Sequence, residues 1–143
     1  MAIAPIPTHL HLQIVSADRL LVDEQVDEVE IPGAEGYLGI LPGHTPLLAL
    51  LQVGELWYRR GPEKFFLSIA FGFAEVQPDR VTLLAEVAEK PEDIDVARAV
   101  AAKRRAEERL SKPTMDVDFE RARIALLKSL IRLQVASRAR IRA

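Results

Sequence analysis

The hydrophobic pattern of this 143-residue chain changes period once, near Pro91, and that change limits the fold more than any other feature. Before it, apolar side chains recur at every second residue, the spacing of a half-buried strand; after it comes a dense run of helix formers. The alternation is clearest where Leu10, Leu12 and Ile14 interleave with His9, His11 and Gln13. Further strands are predicted over residues 26–31, 55–60, 64–69, 73–77 and 81–87, separated by turn signals at Pro32-Gly33, Gly61-Pro62 and Pro78-Asp79. Short strands with turns at such intervals predict an antiparallel β-sandwich, because a single open sheet would leave half of these apolar side chains in water.

Glu89-Lys90-Pro91-Glu92-Asp93 reads as the boundary, with Pro91 suited to a first helical turn and Asp93 to a cap. Residues 94–110 contain neither Gly nor Pro and include Ala97, Ala99, Ala101, Ala102 and Ala106, which predicts a helix. Ser111-Lys112-Pro113-Thr114 breaks it, and Asp116 offers a cap for a second helix over 117–137, whose apolar stripe is Phe119, Ala122, Leu126, Leu130 and Leu133. Two helices joined by a short break predict a hairpin with a thin, alanine-lined seam. Such a seam buries little area, so the hairpin needs the sandwich, or another surface, for much of its stability. The expected organisation is a β-sandwich domain over 1–90 and a two-helix domain over 91–143.

Chemistry is sparse. No cysteine occurs, which excludes disulfides, thiolate metal sites and cysteine nucleophiles and suits a reducing compartment. No nucleophile elbow, metalloprotease helix, phosphate loop or dinucleotide fingerprint is present, so no enzyme reading has a motif behind it. His9 and His11 share one strand face, but no third ligand accompanies them, and a solvated face accounts for both. Trp57 and Tyr58, adjacent in a strand, are expected to be one core and one surface side chain. The opening MAIAPIPTHLHLQIV predicts neither a signal peptide nor a membrane span. Net charge is −2, yet residues 1–91 hold six basic against thirteen acidic side chains, whereas 121–143 hold seven basic and no acidic ones. An acidic body argues against nucleic acid as a partner.

The segment 36–48, GYLGILPGHTPLL, places glycines and prolines too closely within an apolar run for a regular strand and predicts a shaped loop with buried side chains. Taken with Ser16-Ala17 upstream, Gly54 downstream and Phe71-Gly72-Phe73-Ala74-Glu75-Val76 further on, this segment resembles the epsilon subunit of the rotary F-type ATP synthase. The resemblance runs from about His9 to the end of the chain. It implies a sandwich of about ten strands followed by a helical hairpin, in a non-catalytic subunit that turns with the central stalk and helps couple proton flow to ATP synthesis. Implied partners are the gamma subunit, the membrane rotor ring and, when the helices extend, the alpha and beta subunits; membrane insertion is not expected. The implied location is the cytoplasmic face of the bacterial inner membrane.

Within that resemblance Tyr37 and His44 are the candidates for rotor-ring contact, the alternative being that the loop only turns a corner. The hairpin is implied to permit ATP hydrolysis when folded on the sandwich and to inhibit it when extended. The basic residues Arg121, Arg123, Arg138, Arg140 and Arg142 would then face an acidic partner; a solvated helix face, or a favourable helix-end dipole, is the alternative. Ile94-Asp95-Val96-Ala97-Arg98-Ala99 matches the I-D-x-x-R-A pattern of epsilon subunits that bind ATP without hydrolysing it. The implied nucleotide residues are Glu89, Ile94, Asp95, Arg98, Ala99, Lys128 and Arg132, with Lys128 standing where nucleotide-binding members carry an arginine. Lysine keeps the charge and loses the bidentate fork. No cofactor is required; ATP is the candidate regulatory ligand. A free-standing ligand-binding sandwich with a helical lid remains the competing reading.

Overall fold

The computed structural model describes residues 5–112 and 118–142. Seven strands come first: β1 (Leu10–Val15), β2 (Leu20–Val26), β3 (Glu28–Gly33), β4 (Gly36–Ile40), β5 (Leu47–Arg60), β6 (Glu63–Gln77) and β7 (Arg80–Glu89). A 3-10 turn over Pro91–Asp93 leads into α1 (Val96–Ser111) and α2 (Phe119–Arg142). The strands form one hydrogen-bonded series in the order β2-β1-β7-β6-β5-β3-β4. That series folds over on itself: a single apolar core draws Leu12 from β1, Val26 from β2, Ile31 from β3, Ile40 from β4 and Leu56, Ile69 and Leu83 from the long central strands. Arg60 on β5 also reaches Glu24 on β2 at 3.2 Å, although the two strands are far apart in the hydrogen-bonded order.

The expected sandwich is therefore present, with seven strands in place of about ten. Two of the predicted strands, 64–69 and 73–77, are one 15-residue strand. The inward-facing set changes phase along it: Leu67 and Ile69 are buried before the change, Ala74 and Val76 after it. The same shift occurs at the same level in β5, between Leu51 and Leu56, and in β7, between Ala85 and Ala88. Each strand there presents two consecutive residues outward, so a strict period of two sees an interruption where the backbone continues. In β6 this point is marked by positive φ at Phe71 (63°) and Gly72 (125°).

Other boundaries also differ from expectation. Residues 26–31 are split at Asp27, whose N–H bonds to the Arg59 carbonyl at 2.8 Å, and β2, which breaks alternation with Asp23-Glu24-Gln25, was not anticipated. The turn expected at Pro32-Gly33 falls at Ala34-Glu35, with both Pro32 and Gly33 in β3. One pair, β1 with β7, is parallel. Of the adjacent aromatics, Tyr58 is the core side chain, stacked on Phe65 with centroids 5.0 Å apart, while Trp57 is half-buried beneath Lys64.

Pro91 is buried, and Asp95, rather than Asp93, caps α1 by accepting from the Arg98 N–H at 3.0 Å. The proposed Asp116 cap lies outside the described residues; α2 starts at Phe119, with Asp118 accepting from the Arg121 N–H at 3.1 Å. Helix α2 packs between α1 and the outer face of β5 and β6. Ala122 and Ser129, seven residues apart on one face of α2, are buried, as are Ala99 and Ala106, seven apart on α1, so small residues line the seam between the helices; Val135, on a different face of α2, is also buried. Phe119 and Leu130, expected in the stripe, are exposed, because the closest approach falls on the small residues instead. Replacing Ala106 by leucine should overfill this seam at a cost of about 1–3 kcal/mol. Hydrogen exchange should then accelerate in both helices while the sheet stays protected; unchanged helices would mean that the seam does not hold the hairpin.

Candidate functional site

Between the sheet and the hairpin lies a cavity of about 420 Å³. Its floor is apolar, from Val53 on β5, Ala70 on β6 and Val87 on β7, outward-facing residues near the phase change described above. Its charged wall comes from three elements: Glu89 at the end of β7, Arg98 and Arg105 on α1, and Lys128 and Arg132 on α2. Four cations face one carboxylate. Arg132 makes a fork on Glu89, with Nε donating at 2.7 Å and Nη2 at 3.1 Å. Lys128 stands with its ammonium 5.3 Å from the Phe71 ring centroid.

Four of the residues singled out in the sequence, Glu89, Arg98, Lys128 and Arg132, thus meet in one cavity. Ile94, Asp95 and Ala99 are not in its lining: Ile94 and Ala99 are buried in packing, and Asp95 is engaged in capping α1. Arg105 was missed. It lies seven residues, two helical turns, beyond Arg98 and so returns to the same face, a signal the sequence did carry. The donor set suits a polyanion, with guanidinium forks for phosphate oxygens and an apolar floor for a flat ring.

Segment 36–48 is not a single buried loop. Gly36–Ile40 is strand, residues 41–46 form the turn, and β5 has begun by Leu47. Only Ile40 in it is fully buried; Leu41 and Leu48 are 56% and 72% exposed. Alternation here places small or apolar residues outward, which is why a packing argument misread it. Gly43, at φ 86°, donates to the Pro78 carbonyl at 2.7 Å and ties the turn to the β6–β7 connection. His44 Nδ1 donates to the Thr45 carbonyl at 2.7 Å. Tyr37 has an exposed ring, yet its hydroxyl accepts from the Glu55 N–H at 3.3 Å, beside the irregularity where Pro32 has no N–H to offer β5. Leu50, Phe73 and Leu84 stand opposite one another on β5, β6 and β7, all exposed, and make an apolar row across the sheet.

The basic tail is partly engaged. Arg121 is exposed, Arg123 pairs with Glu120 at 2.7 Å, and Arg138 forks onto Glu55 through Nε at 3.1 Å and Nη2 at 3.0 Å. Hydrogen bonding to Arg123 holds the Glu120 carboxyl below its ordinary range, and the Glu55 hydrogen bond raises Arg138 against the opposing effect of burial. The side chains of Arg140 and Arg142 lie outside the described set. His9 and His11 do not converge: His9 faces Asp27 at 3.5 Å and His11 pairs with Asp23. No cluster of three or more metal-ligating side chains occurs among the described residues.

Two family models match this chain. Residues 9–91 match the beta-sandwich domain of the ATP synthase delta/epsilon chain, and residues 92–137 match its long alpha-helix domain. The ATP synthase epsilon chain of Nitratidesulfovibrio vulgaris is 47% identical over 130 residues, 91% of this chain and 97% of that protein. The corresponding chain of Halalkalibacterium halodurans is 46% identical over 90% of this chain and 98% of its own length. Among solved structures, a chain of the Euglena gracilis mitochondrial ATP synthase, in an OSCP/F1/c-ring assembly, superposes with a TM-score of 0.80 at 28% identity, covering 94% of this chain and 84% of that one.

Proposed function

The chain belongs to the family of ATP synthase epsilon chains, non-catalytic subunits of that complex, and we propose that its two parts divide attachment from regulation. The sandwich, residues 1–90, attaches to the central stalk and turns with it. The exposed row of Leu50, Phe73 and Leu84 is the surface offered to the gamma subunit, since an apolar row of this kind is otherwise a liability in water. The neighbouring end, with Tyr37 and His44, meets the membrane rotor ring. Among the described residues no helix is long and apolar enough to cross a membrane. The proposed location, on the cytoplasmic face of the bacterial inner membrane, follows from contact with the ring.

The hairpin, residues 91–143, is the regulatory part. Folded on the sandwich, as here, it permits hydrolysis; extended, it offers Arg121, Arg123, Arg138, Arg140 and Arg142 to acidic surfaces of the alpha and beta subunits and inhibits. The observation that carries this reading is the cavity, because Glu89 comes from the sandwich while Arg98, Arg105, Lys128 and Arg132 come from the hairpin. A ligand binding all five favours the folded hairpin by its differential affinity for that state. ATP, bound without hydrolysis, is the ligand proposed. Its triphosphate would neutralise the cationic excess, and Glu89, already bonded to Arg132, would keep that guanidinium oriented.

Calorimetry tests this directly. ATP titrated into the intact chain should give a saturable heat, and Arg98→Ala, which removes one guanidinium from the wall, should weaken binding on the order of tenfold or more. An unchanged titration in the variant would remove the cavity from the account. The free-standing lid protein is separated by co-purification with gamma, which that reading gives no reason to expect.

A further inference from the structure

Outside the cavity, α2 is held to the sheet at a second point. Glu55 lies on the outward face of β5 between Val53 and Trp57, opposite Ser68 of β6, and is only 8% exposed because α2 covers it. A carboxylate there loses its water, and such a group is tolerated only when paired and hydrogen-bonded. Arg138, 83 residues further along, supplies both bonds with a planar fork. The guanidinium carbon also sits 4.5 Å from the centroid of the Phe66 ring, which limits the orientations it can take. None of the three residues lines the cavity.

Resting on the reading of the hairpin as the movable part, we infer that Glu55, Arg138 and Phe66 form a latch that sets how often the hairpin leaves the sandwich, independently of any ligand in the cavity. The two restraints on α2 answer to different signals. The Arg132–Glu89 fork lies in the cavity wall and responds to what binds there. The Arg138–Glu55 fork responds to ionic strength and to competing carboxylates, since Arg138 exchanges one carboxylate partner for another when α2 docks on an acidic surface. The sandwich thus carries its own substitute for the partner surface.

The test is hydrogen exchange on the intact chain without nucleotide. Glu55→Gln should raise exchange in the last turns of α2 on the order of tenfold, with β6 unchanged. Glu86→Gln, which removes a charge from an exposed position of β7, should match the parent chain. Added salt should move the parent towards Glu55→Gln and leave that variant largely unaffected. Arg138→Gln approaches the latch from the helix side, where it does not disturb the sheet, and must show the same rise. Unchanged protection of α2 in Arg138→Gln, or an equal rise in Glu86→Gln, overturns the latch. A rise in both latch variants with no change in ATP hydrolysis by the assembled complex supports the latch and counts against the regulatory reading on which it rests.

Discussion

Gly72→Ala is expected to destabilise the sandwich by about 3–5 kcal/mol and to lower its melting temperature by roughly 10–20 °C. Two independent costs add. At φ 125° the backbone occupies a region that residues with a Cβ rarely adopt. A Cβ at this position would also come within 2.1 Å of the Leu84 carbonyl oxygen and 2.8 Å of the Ala85 Cα, both backbone atoms of β7 that cannot turn aside. Because Gly72 lies where three strands change phase together, relieving the clash means reopening the bend that closes the sandwich. Gly39→Ala is the matched comparison: a Cβ there meets nothing within 4 Å, and its φ is not positive, so the melting temperature should stay within a few degrees. Equal melting temperatures for the two variants would show that the bend is not built on Gly72.

How much of this was legible beforehand depends on the range of the interaction. The switch of period near Pro91 is local, and it separated the strand region from the helices, although β2 and β4 within that region were not found. The alternation at Leu10, Leu12 and Ile14 is likewise local, and all three are fully buried. What failed was inference from alternation across a bend. On β5 Gln52-Val53 face outward as a consecutive pair, and β6 shifts phase at Phe71-Gly72, so these two long strands read as fragments, while β7 read as one strand that stopped at its own outward pair, Glu86-Val87. The segment 36–48 was misread because its glycines and prolines signal irregular backbone but do not say that the irregularity points to solvent. In the cavity, Glu89, Arg98, Lys128 and Arg132 were found through a family pattern, not through charge spacing; Arg105 was available from helical periodicity. The Glu55–Arg138 latch spans 83 residues and has no local signature at either end.

Removing residues 92–143 is the second large effect expected. The buried core cluster ends at Ala88, so among the described residues no part of it is contributed by the hairpin. Truncation uncovers Glu55 and Glu89, which then pair with water, and Phe66, which loses its guanidinium partner. These are losses at the surface, and the remaining sandwich should fold and melt cooperatively. The attachment surface proposed around Leu50, Phe73 and Leu84 is untouched, so binding to gamma should persist. What disappears, on the proposed reading, is the extended state and with it the contacts proposed with the alpha and beta subunits. The central claim, that a self-sufficient sandwich carries a detachable brake, is tested most directly by the ATP hydrolysis rate of the complex assembled with residues 1–91 beside that assembled with the full chain. Normal assembly with a hydrolysis rate raised several-fold is the predicted result; failure of the truncated chain to bind gamma, or an unchanged rate in a fully assembled complex, would contradict it.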